Sequence, residues 1–405
     1  MNMLMTKLAV SPVRRRFDAP PLLPQIDDVA TAEQPDEPLH CLRPNVINST
    51  ARTFVAGFPG SVLYALKCNP EPRVMSALWA GGIRRFDCAS PAEIALVRQM
   101  FPDASIHYMH PVKARGAIRA AWAHQGVRDF VLDSQQELAK ILDETGSGAT
   151  DDRGLIVRLA VRNGGAYDLS GKFGAAPDAA ARLLAAARPH AARLGLSFHV
   201  GSQCLDPGAY AEAMARAAEV IAAAGVPVEV LDVGGGFPVS YPEVTPAPLA
   251  AYMVAIADAR AKLGFADVTL WAEPGRALVA AGTSVVVQIQ HRRGDALYIN
   301  DGVYGSLSDA GGPGFRFPVR LIRAGRAPVA AATMAFRLFG PTCDSADRMD
   351  GPFMLPADAR EGDWIEIGQL GAYGAALRTA FNGFDRARLT DVCDAPLLAT
   401  PGHAD

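Results

Sequence analysis

The chain has 405 residues, 50% hydrophobic and 20% charged, with a formal net charge of -3 and a sequence pI near 6.3. That length accommodates two domains, and the near balance of charge excludes the broad basic face that nucleic acid or an anionic membrane would require, so a small molecule is the expected partner. Met1 to Phe17 has no apolar core with a small-residue cleavage site, and the longest uncharged run, Ala277 to Gln290, is short and broken by Gly and Ser; neither secretion nor a membrane span is expected, and the chain reads as cytoplasmic.

Residues 1–45 are rich in Pro, Asp and Glu (Asp18-Ala-Pro-Pro, Glu33-Gln-Pro-Asp-Glu-Pro) and read as a partly irregular arm that joins a later domain in part. A period then appears, in which short apolar runs end in polar or glycine-rich corners and are followed by Ala/Leu-rich amphipathic stretches. The runs are Ser61 to Lys67, Arg85 to Cys88, Ser105 to His110, Asp129 to Asp133, Leu155 to Val161, Ser197 to Val200, Glu229 to Val233 and Thr269 to Ala272. Between them lie predicted helices such as Pro91 to Gln99, Ala114 to Gln125, Gln135 to Glu144, Asp178 to Leu194, Gly208 to Ala224 and Pro248 to Leu263, with Ser90, Ser134 and Asp178 as N-caps. Eight β-then-α units over residues 46–280 predict an α/β fold, a (β/α)8 barrel in preference to an open doubly wound sheet. After Pro274 the pattern turns strand-like (Val285 to Gln290, Ala296 to Asn300, Phe317 to Ile322, Ala335 to Phe339, Trp364 to Gly368), which predicts a C-terminal β domain, a barrel or sandwich, over residues 281–405.

Six cysteines are scattered without a C-x-x-C pair, so neither a disulfide framework nor a zinc site is expected, and no metal is assigned. In a (β/α)8 barrel the chemistry collects at the C-terminal ends of the strands, where this chain places Lys67, Asp87, Arg158, His199, Gly234-Gly235-Gly236 and Glu273. A lysine ending a buried run would be desolvated, which disfavours the ammonium form and favours Schiff-base chemistry; equally, it could snorkel to the surface. Gly234-Gly235-Gly236 allows backbone N–H groups to approach an anion or simply makes a sharp turn, and Glu273-Pro-Gly-Arg276 repeats the device one strand later with a guanidinium added. A lysine facing a phosphate cradle across a barrel mouth fits pyridoxal 5'-phosphate (PLP), with Glu273 pairing with the pyridine nitrogen and His199 either stacking on the ring or serving as an ordinary core histidine.

Taken together, Tyr64-Ala-Leu-Lys67-Cys-Asn, Phe86-Asp87-Cys-Ala-Ser, Phe198-His199-Val-Gly-Ser202, Leu231-Asp-Val-Gly-Gly-Gly-Phe-Pro, Glu273-Pro-Gly-Arg276, Gly340-Pro-Thr-Cys343-Asp344-Ser and Gly371-Ala-Tyr373 with Phe381-Asn-Gly-Phe384 resemble the fold-type III PLP-dependent basic amino acid decarboxylases, most of all the ornithine decarboxylases. The resemblance runs from about residue 50 to residue 386 and keeps the family's motif order. It implies that Lys67 carries the cofactor, that His199 stacks on it, that Ser202, Gly235, Gly236, Arg276 and Tyr373 hold its phosphate, that Glu273 pairs with the pyridinium, and that Asp87 and Arg158 line the pocket. It further implies a homodimer in which Cys343 and Asp344 enter the neighbouring subunit's site, the cysteine to protonate the substrate carbanion and the aspartate to bind the distal ammonium, with Tyr304 and Phe381 beside the substrate. Lys172 and Asp347 match a pair that bridges subunits in the family; otherwise they are two unrelated surface charges.

The chain departs from the pattern after Asp301-Gly-Val-Tyr304-Gly-Ser. Eukaryotic-type relatives continue to a Tyr-Asp pair whose carboxylate contacts the distal amine, whereas Leu307 to Gly314 is shorter and lacks it. Asp309 either replaces that carboxylate or is a turn residue. The implied reaction is decarboxylation of L-ornithine to putrescine, with L-lysine to cadaverine as a further possibility, in polyamine biosynthesis. Diaminopimelate decarboxylase is the sister reading, disfavoured by Asp344 where that group has Glu; a racemase is disfavoured by Glu273, since racemases set an Arg against the pyridine nitrogen. A decarboxylase-like binding protein without catalysis would be expected to have lost Lys67 or the phosphate cradle.

Overall fold

The computed structural model describes residues 23–146, 152–161, 165, 171–323, 325 and 329–403; the first 22 residues of the expected arm lie outside them. The rest of the arm forms α1 (Ile26–Glu33) and β1 (Leu39–Leu42), followed by α2 (Pro44–Gly57). Ile26, Val29, Leu39 and Cys41 pack with Val286, Ile322, Trp364 and Val392 in a buried apolar cluster, so residues 26–42 join the C-terminal sheet.

The eight periodic units then follow as β2 (Ser61–Ala65), α3 (Pro72–Ala80), β3 (Arg85–Cys88), α4 (Pro91–Met100), β4 (Ser105–Tyr108), α5 (Arg115–Gln125), β5 (Asp129–Leu132), α6 (Gln135–Thr145), β6 (Gly154–Arg158), α7 (Pro177–Ala187), β7 (Arg193–Ser197), α8 (Gly208–Ala224), β8 (Val230–Asp232), α9 (Leu249–Lys262), β9 (Thr269–Ala272) and α10 (Arg276–Val279). Strands β2 to β9 pair in sequence and close when β2 meets β9 in parallel, Ser61 opposite Trp271. Closure follows from the alternation along each strand. Leu63, Val131, Ile156, Val230 and Trp271 form one buried cluster with Met109, while flanking residues such as Val62, Tyr64, Leu155 and Leu231 belong to the larger core shared with the helices. Burying each large aliphatic side chain contributes about 1.5–3 kcal/mol. The Ser90 and Ser134 hydroxyls accept from the amides of Glu93 and Glu137 and so cap α4 and α6.

Several predicted strands end two or three residues early, as Leu155 to Val161 does at Arg158, and two boundaries move further. The helix expected to run to Leu194 ends at Ala187 and gives way to a single 3-10 turn, Arg188–His190, because Pro189 supplies no amide donor to continue it. The strand expected at Ser197 to Val200 is instead Arg193–Ser197, in register with Gly154–Arg158 on one side. Asp178 lies in the first turn of α7 and Ala176 holds the N-cap position.

Beyond α10 come β10 (Thr283–Arg293), β11 (Ala296–Ile299), β12 (Val319–Ile322), β13 (Thr333–Phe339), β14 (Arg348–Pro356), β15 (Trp364–Ile367) and β16 (Arg388–Asp391). They form an eight-stranded mixed sheet in the order β12-β15-β10-β11-β13-β14, with β1 joined to β10 and β16. The long strand β10 serves two neighbourhoods: Val285 to Gln288 pair with β15, and after a register shift between Ile289 and His291 its end pairs with β11. Strands β14 and β16 are absent from the predicted runs; β14 carries Gly351-Pro352 at its centre, and pairing with β13 holds it extended. Among the described residues no helix is long and apolar enough to cross a membrane.

Candidate active site

Barrel closure brings the strand-end residues to one mouth. A cleft of about 650 Å³ is lined by Lys67, Arg158, His199, Ser202, Gly235, Gly236, Glu273, Arg276, Asp309 and Tyr373, together with Met109, His110, Lys172, Phe173 and Leu377. The first group comes from the ends of five different strands and from two segments of the C-terminal region. Gly275, also in the lining, approaches Cys68 so closely that a Cβ would lie 3.0 Å from the cysteine Cβ.

Lys67 sits not on β2 but on the one-turn 3-10 helix Leu66–Cys68 that follows it. Its Nζ donates to Asp87 Oδ2 at 2.8 Å; the lysine side chain is 48% exposed and the aspartate 1%. The desolvation expected from sequence does act, but the negative charge of Asp87, followed by Glu273 and Tyr373, outweighs it and raises the ammonium's pKa. The cofactor-free chain therefore holds Lys67 as a paired ammonium, a correction to the expectation of a neutral amine.

His199 follows β7 and accepts the Gly201 amide at Nδ1, 3.0 Å away. Burial, then the charges of Arg158 and Lys67, lower its pKa to about 3, so the ring is neutral and its remaining proton is on Nε2. A Cβ on Gly235 would stand 2.7 Å from the Glu273 carbonyl oxygen and 3.0 Å from His199 Nε2, and Gly236 adopts φ +99° with Gly201 O only 2.5 Å from the place of a Cβ. Side chains are excluded from both positions, which leaves the backbone open to the cleft.

Glu273 ends β9. Its carboxyl is pushed well above the carboxylate range by burial, then by Asp232 and Asp87, and Oε1 is buried with no hydrogen-bond partner. Asp232 on β8 accepts the Gly234 amide at 2.8 Å through Oδ1, while its Oδ2 is likewise without a partner; burial raises it to about 6. A buried acceptor with no donor of its own suits a ligand that brings an N–H. On the far wall Arg276 opens α10 and is buried, with the Tyr373 ring 5.1 Å from its guanidinium carbon. Tyr373 adopts φ +61° and donates its amide to Cys68 O at 2.9 Å. An amine, an orphan carboxyl, a neutral imidazole and an arginine beside side-chain-free glycines meet the needs of PLP's aldehyde, pyridine nitrogen, ring face and phosphate, and the residues fit that group.

The profile of the family described as pyridoxal-dependent decarboxylase, pyridoxal binding domain, matches residues 45–280. The chain belongs to this family. Its sequence is 35% identical over 335 residues to the lysine/ornithine decarboxylase of Selenomonas ruminantium, covering 80% of this chain and 81% of the relative. Among solved structures, the lysine/ornithine decarboxylase of Vibrio vulnificus complexed with putrescine superposes with a TM-score of 0.76 at 33% identity, over 90% of this chain and 96% of that one. The arginine decarboxylase of Paramecium bursaria Chlorella virus bound to agmatine gives 0.80 at 27% identity, over 91% and 99%. The protein is a PLP-dependent decarboxylase of a basic amino acid.

Four of the decarboxylase's sequence-predicted residues, Cys343, Asp344, Tyr304 and Phe381, are not in the cleft lining. Cys343, exposed, contacts Asn382 Oδ1 at 3.2 Å; Asp344 accepts the Tyr304 hydroxyl at 2.5 Å; the Tyr304 and Phe381 rings lie 4.9 Å apart. These four form a second cluster on the C-terminal region of the same chain. Asp347 is not a surface charge. It is 3% exposed and accepts the Val303 amide at 2.8 Å and the Thr342 amide and hydroxyl at 3.1 and 2.7 Å. Lys172 does face the cleft, beside the Phe173 ring at 5.1 Å. Asp309 is paired with Arg276. Among the described residues no group of His, Cys, Asp and Glu could hold a metal.

Sequence reasoning missed His110, Phe173 and Leu377. The signal for His110 was present, since it follows β4 as His199 follows β7; Phe173 and Leu377 arrive on loops with no periodic cue.

Proposed function

We propose that the decarboxylase acts on L-ornithine, giving putrescine for polyamine biosynthesis, and on L-lysine, giving cadaverine. The observation that carries this reading is the Asp344 carboxylate, held below its ordinary pKa by the Ala346 amide and then the Tyr304 hydroxyl: a charged acceptor beside two aromatic rings suits a bare distal ammonium. The solved relatives complexed with putrescine and with cadaverine support the same class of product.

When bound, PLP supplies an electron sink for the pair left on the substrate's Cα as CO2 departs. This chain's residues provide the rest. Lys67 Nζ gives up its proton, with Asp87 Oδ2 the nearest acceptor, before it can bond to an aldehyde carbon. Glu273 would accept from the pyridine N–H and His199 would flank the ring. The amides of Gly235 and Gly236, Ser202, Tyr373 and Arg276, whose Nε is a buried donor with no partner, would hold the phosphate, and Arg158 lines the pocket. Cys343 Sγ delivers a proton to Cα and Asp344 binds the distal ammonium. Because their cluster is separate from the Lys67 cleft of the same chain, a second copy would bring them to it. That makes a homodimer the catalytic unit, and exposed Leu377, Phe381 and Phe384 supply apolar surface for the contact. A division near residue 280 between barrel and β domain is supported by the end of β9 at Ala272 and the start of β10 at Thr283.

The test is CO2 release with amine identification by the purified protein plus PLP, offered L-ornithine, L-lysine, L-arginine and meso-diaminopimelate separately. Putrescine and cadaverine are the expected products; agmatine alone, or lysine formed from diaminopimelate, would overturn the substrate reading.

A further inference from the structure

Arg276 is buried, and two of its three nitrogens are already taken. Nη1 donates to the Tyr241 hydroxyl at 2.7 Å and Nη2 to Asp309 Oδ2 at 2.9 Å, while Nε, equally buried, has no partner. Tyr241 is itself wedged between Phe315 and Phe317, with ring centroids at 5.1 and 5.4 Å, and Phe315 stands 5.1 Å from the guanidinium carbon. The Phe315 amide in turn donates to the Asp309 carbonyl at 2.8 Å, so aspartate and aromatic wall belong to one hydrogen-bonded loop. A planar guanidinium held at Nη1 and Nη2 has little freedom to turn, and Nε is the nitrogen left without a partner in a residue that lines the cleft.

We propose that Asp309, with Tyr241, is a positioning residue of the cofactor's phosphate site rather than the receptor for the substrate's distal cation. It sets the plane of Arg276 so that the Nε edge meets the phosphate without reorganisation. Its carboxylate is spent on an internal cation, which leaves Asp344 as the acidic group that reads the substrate's far end. A carboxylate this close to a phosphate also repels it, so charge and geometry act in opposite directions and must be separated by variant. Asp309→Asn keeps an oxygen acceptor for Nη2 and removes the charge; Asp309→Ala removes both. The inference rests on the phosphate lying at Arg276.

The experiment is a titration of the cofactor-free protein with PLP, followed by tryptophan fluorescence and by the phosphorus NMR signal of the bound cofactor, with substrate KM measured separately at saturating PLP. Asp309→Ala should bind PLP about tenfold or more weakly than Asp309→Asn, the scale of one charge-assisted hydrogen bond. Tyr241→Phe, which keeps the ring packing, should be weakened in the same sense, and the ornithine-to-lysine ratio of kcat/KM should be unchanged in Asp309→Asn. Equal PLP affinity in the Ala and Asn variants would overturn the positioning role, as would an Asn variant with unaltered PLP binding and a greatly raised substrate KM. If Arg276→Ala bound PLP like the unmodified protein, the phosphate assignment itself would fall, and the role given to Asp309 with it.

Discussion

Glu273→Gln is expected to stabilise the cofactor-free protein and at the same time to slow it as an enzyme. Glu273 Oε1 and Asp232 Oδ2 are both buried without a donor, so the pair is satisfied only while a proton is shared between them. Leaving a buried acceptor unsatisfied costs about 1–3 kcal/mol, and a glutamine amide can donate to Asp232 where a glutamate carboxylate cannot. The expected gain at neutral pH is therefore about 1–3 kcal/mol, each of which raises the Tm of a chain this long by no more than about 2–4 °C. The sign with pH follows from linkage. Burial raises Asp232 from 3.8 to about 6 and Glu273 also upward, so the folded chain retains protons that the unfolded chain releases. Stability then falls as pH rises from the ordinary carboxylate range through about 6, and the variant should flatten that fall. Turnover should drop by about 10²- to 10³-fold, the usual effect of removing one charge-stabilising contact from a reacting centre. Thermal unfolding of both cofactor-free proteins across this pH range, with CO2 release by the loaded ones, tests both halves. A variant less stable than the parent at neutral pH, or one with undiminished turnover, would refute the reasoning.

Other substitutions probe separate parts of the molecule. Lys67→Ala should abolish the visible absorbance of lysine-bound PLP and, by leaving buried Asp87 unpaired, should destabilise the cofactor-free protein by about 1–3 kcal/mol; a retained absorbance band would exclude Lys67 as the attachment point. Cys343→Ala should bind PLP normally yet lose most amine formation or protonate the wrong carbon, and mixing it with Lys67→Ala should regain activity if sites are shared between subunits; full activity of the single variant would remove the thiol from the reaction. In the C-terminal sheet, buried Glu366 bridges Arg43 at 2.9 Å and Arg320 at 2.5 Å. Glu366→Ala should cost about 3–5 kcal/mol by stranding the buried Arg43 charge, read as a loss of chemical-denaturation stability, and a loss below about 1 kcal/mol would show the pair to be screened as at a surface.

The legible parts of this protein were those written locally. Each β-α unit announces itself in about 30 residues through alternation, then helical periodicity, then a polar corner, and the corners fall on one face because parallel strands share a direction. Lys67, His199, Glu273 and Arg276 could therefore be placed at one mouth before any contact was known. Where a local cue pointed the wrong way the sequence misled: the Ala-rich stretch before Pro189 hid the end of α7.

What only the tertiary structure decided was which neighbour each charge meets. Asp87 stands 20 residues from Lys67, and its charge reverses the effect that desolvation alone would have on the amine. Asp309 lies 33 residues from Arg276 on a loop without periodicity, and closure of the barrel against the C-terminal region is what joins them. Asp347 reads as a surface charge until folding wraps the Val303 and Thr342 amides around it. The kind of chemistry was fixed by residue type at strand ends, a local property of the chain. The protonation and partners of those residues depend on Coulombic and desolvation terms that act through space over a few ångströms, and those distances exist only after the chain has closed on itself.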